Sequence, residues 1–198
     1  MIMPKNVNKY QELASDSLSK IFGGSNVIKE WNVAKESKNA FTRELYSPRL
    51  DIAIGPFNID ENIEYNQNNI KSTIFSKRSF IETMLQNSEP PTNTFTLDRF
   101  LNNINQNPRC FLAIEIENSG SSKHMLGNIV NVSILASIGV VIPFSDKKLS
   151  LCKRITKYVT FATEVRKLKG VFKNVLIINK ANFWRLLESY KQINCGKD

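Results

Sequence analysis

Two stretches of this chain alternate apolar and polar positions, the period of a β-strand. In 49–54, Leu50, Ile52 and Ile54 fall on one side, while Asp51 and Ala53 fall on the other. In 111–118, Leu112, Ile114 and Ile116 share one side, and Phe111, Ala113, Glu115 and Glu117 share the opposite one. Pro48 and Pro56 bracket the first stretch, which suits strand ends. Further strands are expected over 26–34, 140–143 and 174–179.

Helical spacing fills the rest. A helix is expected over 10–22 with Leu13, Leu18, Ile21 and Phe22 inward, closed by Gly23 and Gly24. Others are expected over 63–86, from Leu97 with Thr96 as cap, over 146–169 and over 181–192. A helix over 121–138 takes Ser121 or Ser122 as N-cap and Gly139 at its C-terminal end. Residues 60–107 are acidic, Asn-rich and mostly helical, and read as an insert between strands. Strands and helices alternating at this spacing imply an α/β domain with a central mixed β-sheet flanked by helices. The 198 residues suit a single domain carrying that helical insert.

Charge changes the picture next. Lys and Arg number 27 against 18 Asp and Glu, for a net charge of +9. Residues 151–198 hold 11 basic and 3 acidic groups, whereas 51–110 hold 5 and 7. The densest run holds Lys147, Lys148, Lys153, Arg154, Lys157, Arg166, Lys167, Lys169 and Lys173, opposed by Glu164. Such a patch is the electrostatic footprint of a nucleic-acid binder. A solvated face kept basic for solubility is the alternative. Trp31, Trp184 and the 12 phenylalanines are read as core rather than as base-stacking platforms.

Three scattered cysteines and the lone His124 exclude a disulfide framework, a zinc knuckle and a His-rich metal site. The first residues lack the apolar run of a signal peptide, and no membrane span is expected. A reducing, cytoplasmic compartment follows as the default expectation.

Glu115 and Glu117 stand two residues apart on an otherwise apolar strand. Buried carboxylates cost several kcal/mol unless paired or metal-bound. An oxygen cluster of this kind suits a hard cation such as Mg²⁺. With Asp51 on the neighbouring strand, three carboxylates would converge on a centre competent for phosphodiester hydrolysis. Solvent-facing acids on a polar sheet face are the competing interpretation.

Pro48-Arg49-Leu50-Asp51 on one strand and Glu115-Ile116-Glu117 on the next, followed by a helix and a strand, resemble the PD-(D/E)xK nuclease superfamily. Two departures stand out. Pro48 lies three residues before Asp51, and Glu117 replaces the lysine of ExK, giving an ExE variant. The resemblance implies a restriction-endonuclease-like core over about 100 of the 198 residues. It implies that Asp51, Glu115 and the Ile116 carbonyl ligate Mg²⁺ (or Mn²⁺). Glu117 would hold the water or a second metal, and Lys123 would supply a migrated ammonium. Glu12 or Glu44 would complete the site. His124 would contact the scissile phosphate or sit on an ordinary helix surface. Asn118, Asn128 and Asn131 are candidate contacts to the site or DNA, with Asn128 and Asn131 read first as polar helix positions in an Asn-rich chain.

The leading expectation is a Mg²⁺-dependent, restriction-type DNA endonuclease acting on double-stranded DNA, with a homodimer as a weaker implication. Lys147, Lys148, Lys153, Arg154 and Lys157 would bind the phosphates. The alternatives are a non-catalytic nucleic-acid-binding module on the same fold and a basic interaction protein.

Overall fold

The computed structural model describes residues 3–33, 48–58, 62–90, 92–164 and 172–195. Its first helix, α1, spans Val7–Phe22. It starts three residues before the hydrophobic periodicity does, because the Asn6 side chain accepts from the Lys9 amide at 3.1 Å. Tyr10, Ala14, Leu18 and Ile21 recur every three or four residues and are buried.

Strand β1 is Val27–Asn32 and β2 is Arg49–Ile54. Between β2 and β3 run helix α2, Ile63–Gln86, capped by Asn62, and the short α3, Leu97–Leu101, capped by Thr96. Strand β3 is Cys110–Glu117, helix α4 Ser122–Leu135 and β4 Ala136–Pro143. Helix α5 (Asp146–Glu164), strand β5 (Val175–Ile177) and helix α6 (Lys180–Cys195) complete the order. Across the described residues, the succession of helices and strands is the expected one.

The five strands form one mixed sheet in the order β1-β2-β3-β4-β5. The β1–β2 and β2–β3 pairs are antiparallel, and the β3–β4 and β4–β5 pairs are parallel. Helices cover both faces. On one, Ile52, Ile54, Leu112, Ile114, Ile116, Val140 and Ile142 pack with apolar residues of α1, α2, α3 and α6. On the other, Ala53, Ala113 and Val141 pack with Met125, Ile129 and Val132 of α4 and Cys152 of α5. Cys110 and Cys152 are free and buried, and burial pushes the Cys152 thiol up to about 12.

Two expectations are corrected. Gly139 does not end α4; the helix stops at Leu135, and Gly139 lies inside β4. A Cβ there would stand 2.7 Å from Val132 Cγ2, so glycine serves the close approach of α4 to β4. Phe111 does not stay on the face of Glu115. It packs with the opposite cluster, its ring centroid 6.4 Å from that of Phe22. The basic helix is described to Glu164, and Arg166, Lys167 and Lys169 lie outside the described residues.

Candidate active site

Strand register builds the site. Ile52 pairs with Ile114 and Ala53 with Ala113, so one step further Asp51 faces Glu115. Lys29 pairs with Ile52 and Trp31 with Leu50, so Glu30 stands opposite Asp51. Three carboxylate residues thus form a row across β1, β2 and β3, with Glu117 two residues along β3. Acids placed directly opposite one another repel.

Burial sharpens that repulsion. Glu115 is 4% exposed and Glu117 2%, while Asp51 is half-buried. The Asp51 carboxylate accepts from the Ile116 amide at 2.7 Å. Glu117 Oε1 accepts from the Asn128 side chain at 2.7 Å. Glu115 Oε1 has no hydrogen-bond partner. Burial first, then the charges of Asp51, Glu117 and Glu30, pushes Glu115 up to about 9. Asp51 is raised as well, chiefly by burial, and the Ile116 amide opposes the rise. The cation that partly offsets the repulsion on both is Arg49.

The rim is held by residues that motif spacing does not reveal. Arg49 Nε lies 2.7 Å from Glu30 Oε2. Gln11 Nε2 donates to Glu30 Oε1 and to the Asp51 carbonyl, both at 2.9 Å. Glu30 has φ of 53°, a left-handed conformation uncommon outside glycine. Beyond Glu117 the chain turns through Gly120, at φ 94°, where a Cβ would meet His124 Nδ1 at 2.8 Å. That turn returns α4 over the end of β3. His124 Nδ1 is then 4.0 Å from Glu117 Oε1.

The expected residues therefore separate. Asp51, Glu115 and Glu117 come together, with the Ile116 amide between the two strands. Asn128, for which a polar helix position is the first expectation and a site contact the alternative, donates to Glu117. Lys123 is exposed on the first turn of α4, and Asn118 is exposed just after β3. Glu12 does not join the acids. It pairs with Lys9 at 2.8 Å, because one residue of helix is a rotation of about 100° and Gln11 takes the sheet-facing position. Glu44 lies outside the described residues.

The basic helix also divides. Lys148 Nζ donates to the Gly120 carbonyl at 2.6 Å, and Lys153 pairs with Glu89 at 2.7 Å. Lys147, Arg154 and Lys157 are exposed.

Among the described residues, no group of three or more His, Cys, Asp or Glu is gathered as a metal would require. Asp51 is turned to the Ile116 amide and Glu117 to Asn128. The donor chemistry nonetheless fits a hard divalent cation, since the acids are all oxygen donors and Glu115 holds a buried oxygen with no proton donor.

Comparison with protein-family models, curated proteins and solved structures finds no match to this chain. Among the described residues, no helix is long and apolar enough to cross a membrane.

Proposed function

We propose that the chain is a Mg²⁺-dependent endonuclease, accepting Mn²⁺, that hydrolyses phosphodiester bonds in DNA on a restriction-endonuclease-like core. The observation that carries this reading is Glu115: a carboxyl 4% exposed, with an oxygen lacking any partner, between two further acids. A site that crowds carboxylates against their own repulsion suits a bound cation and developing charge.

In this reading Asp51 and Glu115 would hold the cation, together with the Ile116 carbonyl, and Glu117 would face the water. When bound, the cation lowers the pKa of a water and neutralises charge developing on the phosphate. Glu117, oriented by Asn128, receives the proton of the attacking water. Lys123 and His124, at the N-terminal turn of α4, face incoming phosphate oxygens, where free backbone amides also favour anions. Lys147, Arg154 and Lys157 gather phosphates near the site.

Plasmid cleavage in Mg²⁺, Mn²⁺ or EDTA tests the proposal, with Asp51→Ala and Glu115→Ala alongside the unmodified chain. Metal-dependent nicking lost in both variants is the expected outcome. Salt-sensitive DNA binding without cutting favours a non-catalytic binding module on the same fold. Glu117 in place of lysine, and the engagement of Asp51 by the Ile116 amide and of Glu117 by Asn128, are the features that favour that second reading. No DNA binding at low salt would sink both.

A further inference from the structure

Helix α5 is held by its inner face. Cys152, Val159 and Ala162 are buried, and Leu149, Leu151 and Ile155 pack against the cluster beneath them. Its outer face presents Lys147, Ser150, Arg154, Lys157, Tyr158 and Phe161, all exposed and spaced by one to four residues along one stripe. Tyr158 is 66% exposed and Phe161 60%. The sequence alone places the phenylalanines in the core, and Phe161 is an exception. A single exposed aromatic is ordinary. Two within one helical turn, flanked by Arg154 and Lys157 on a helix that also carries Lys147, Lys148 and Lys153, are a different matter.

Charge complementarity selects an anionic occupant, and the rings select one with free π-faces. A paired duplex keeps its bases stacked on each other and offers a helix surface only phosphates and groove edges. A single strand offers phosphates to cations and bases to rings, the combination that stacking platforms use. The first turn of α5 adjoins the site: Lys148 Nζ donates to the Gly120 carbonyl in the turn that follows Glu117. From Lys147 to Phe161 the helix spans about 21 Å.

We infer that the outer face of α5 is a track for single-stranded DNA, with Lys147, Arg154 and Lys157 on its phosphates and Tyr158 and Phe161 stacked on unpaired bases. This rests on the nuclease reading and deepens it: the substrate is an unpaired or displaced strand led along α5 toward Asp51, Glu115 and Glu117.

Fluorescence anisotropy in EDTA, where no cutting occurs, tests the track with a labelled single strand and a hairpin duplex of matched length. The single strand binds tighter. Tyr158→Ala and Phe161→Ala each weaken single-strand binding roughly tenfold and leave the duplex unchanged. Arg154→Ala and Lys157→Ala each weaken both and reduce the salt slope for the single strand by about 0.7. Unchanged thermal unfolding certifies the fold of each variant. Single-strand binding that survives both aromatic substitutions overturns the track. So does sedimentation showing that those substitutions dissociate an oligomer, since the stripe would then be a contact between copies. Because binding is read without metal, the absence of cleavage would defeat the nuclease reading while leaving this result standing.

Discussion

Glu115→Gln keeps the shape of the residue and removes the charge that the fold accommodates worst. Glu115 is 4% exposed and is pushed up to about 9 from an ordinary 4.5. Over that interval the folded chain holds one proton more than the unfolded chain. Metal-free stability therefore falls as pH rises, by about 1.4 kcal/mol per pH unit. The loss is absent below the unfolded value, grows through neutrality and is complete above the folded one. At pH 7 it amounts to roughly 3 kcal/mol, a large share of the stability of a single domain. Glutamine holds no titrating proton, so that slope disappears. What remains comes mainly from Asp51, which is raised in the same direction. Urea unfolding in EDTA from about pH 5 to about pH 8 reads both effects. Glu115→Gln is expected to be the more stable protein at the upper end and close to the unmodified chain at the lower end. Mg²⁺ is expected to stabilise the unmodified chain most at high pH and the variant far less. Parallel stability curves for the two proteins would refute the buried-carboxylate argument.

Gly139→Ala places a methyl 2.7 Å from Val132 Cγ2 and is expected to cost about 1–3 kcal/mol in urea unfolding, with Val132→Ala restoring part of it. Asn174 donates to the carbonyls of Ser133, Ala136 and Ser137 at 3.0–3.1 Å and accepts from the Ser133 hydroxyl at 2.8 Å. Asn174→Ala strands these buried groups and is expected to cost at least about 2 kcal/mol, visible as a lowered melting temperature. Asn128→Leu frees Glu117 from its orienting donor and is expected to slow metal-dependent nicking by about tenfold or more while DNA binding holds.

The order of elements and the identity of the three central acids were legible in the chain. Alternation put Asp51, Glu115 and Glu117 off the main apolar face, and that assignment depends only on the two-residue period of a strand. The rest of the site was not legible. Glu30 lies on a strand whose neighbour is more than 16 residues away along the chain, and its place in the row follows from the register of β1 on β2. Gln11 displaces Glu12 because the phase of α1 is set by what it packs against. Spacing alone does not separate Asn128 from Asn118 and Asn131 as a site contact; the Gly120 turn that lays α4 over the end of β3 does.

By itself the sequence determined where strands and helices form and which residues bear charge, because periodicity and capping act over a few neighbouring residues. Tertiary structure decided which charges meet. It set Asp51 against Glu115 and Glu30, left one buried carboxylate oxygen without a partner, spent Lys148 and Lys153 on internal contacts, and kept Tyr158 and Phe161 outside. Those outcomes depend on strand register, helix phase and close approach, and each is fixed by contacts between segments far apart in the chain.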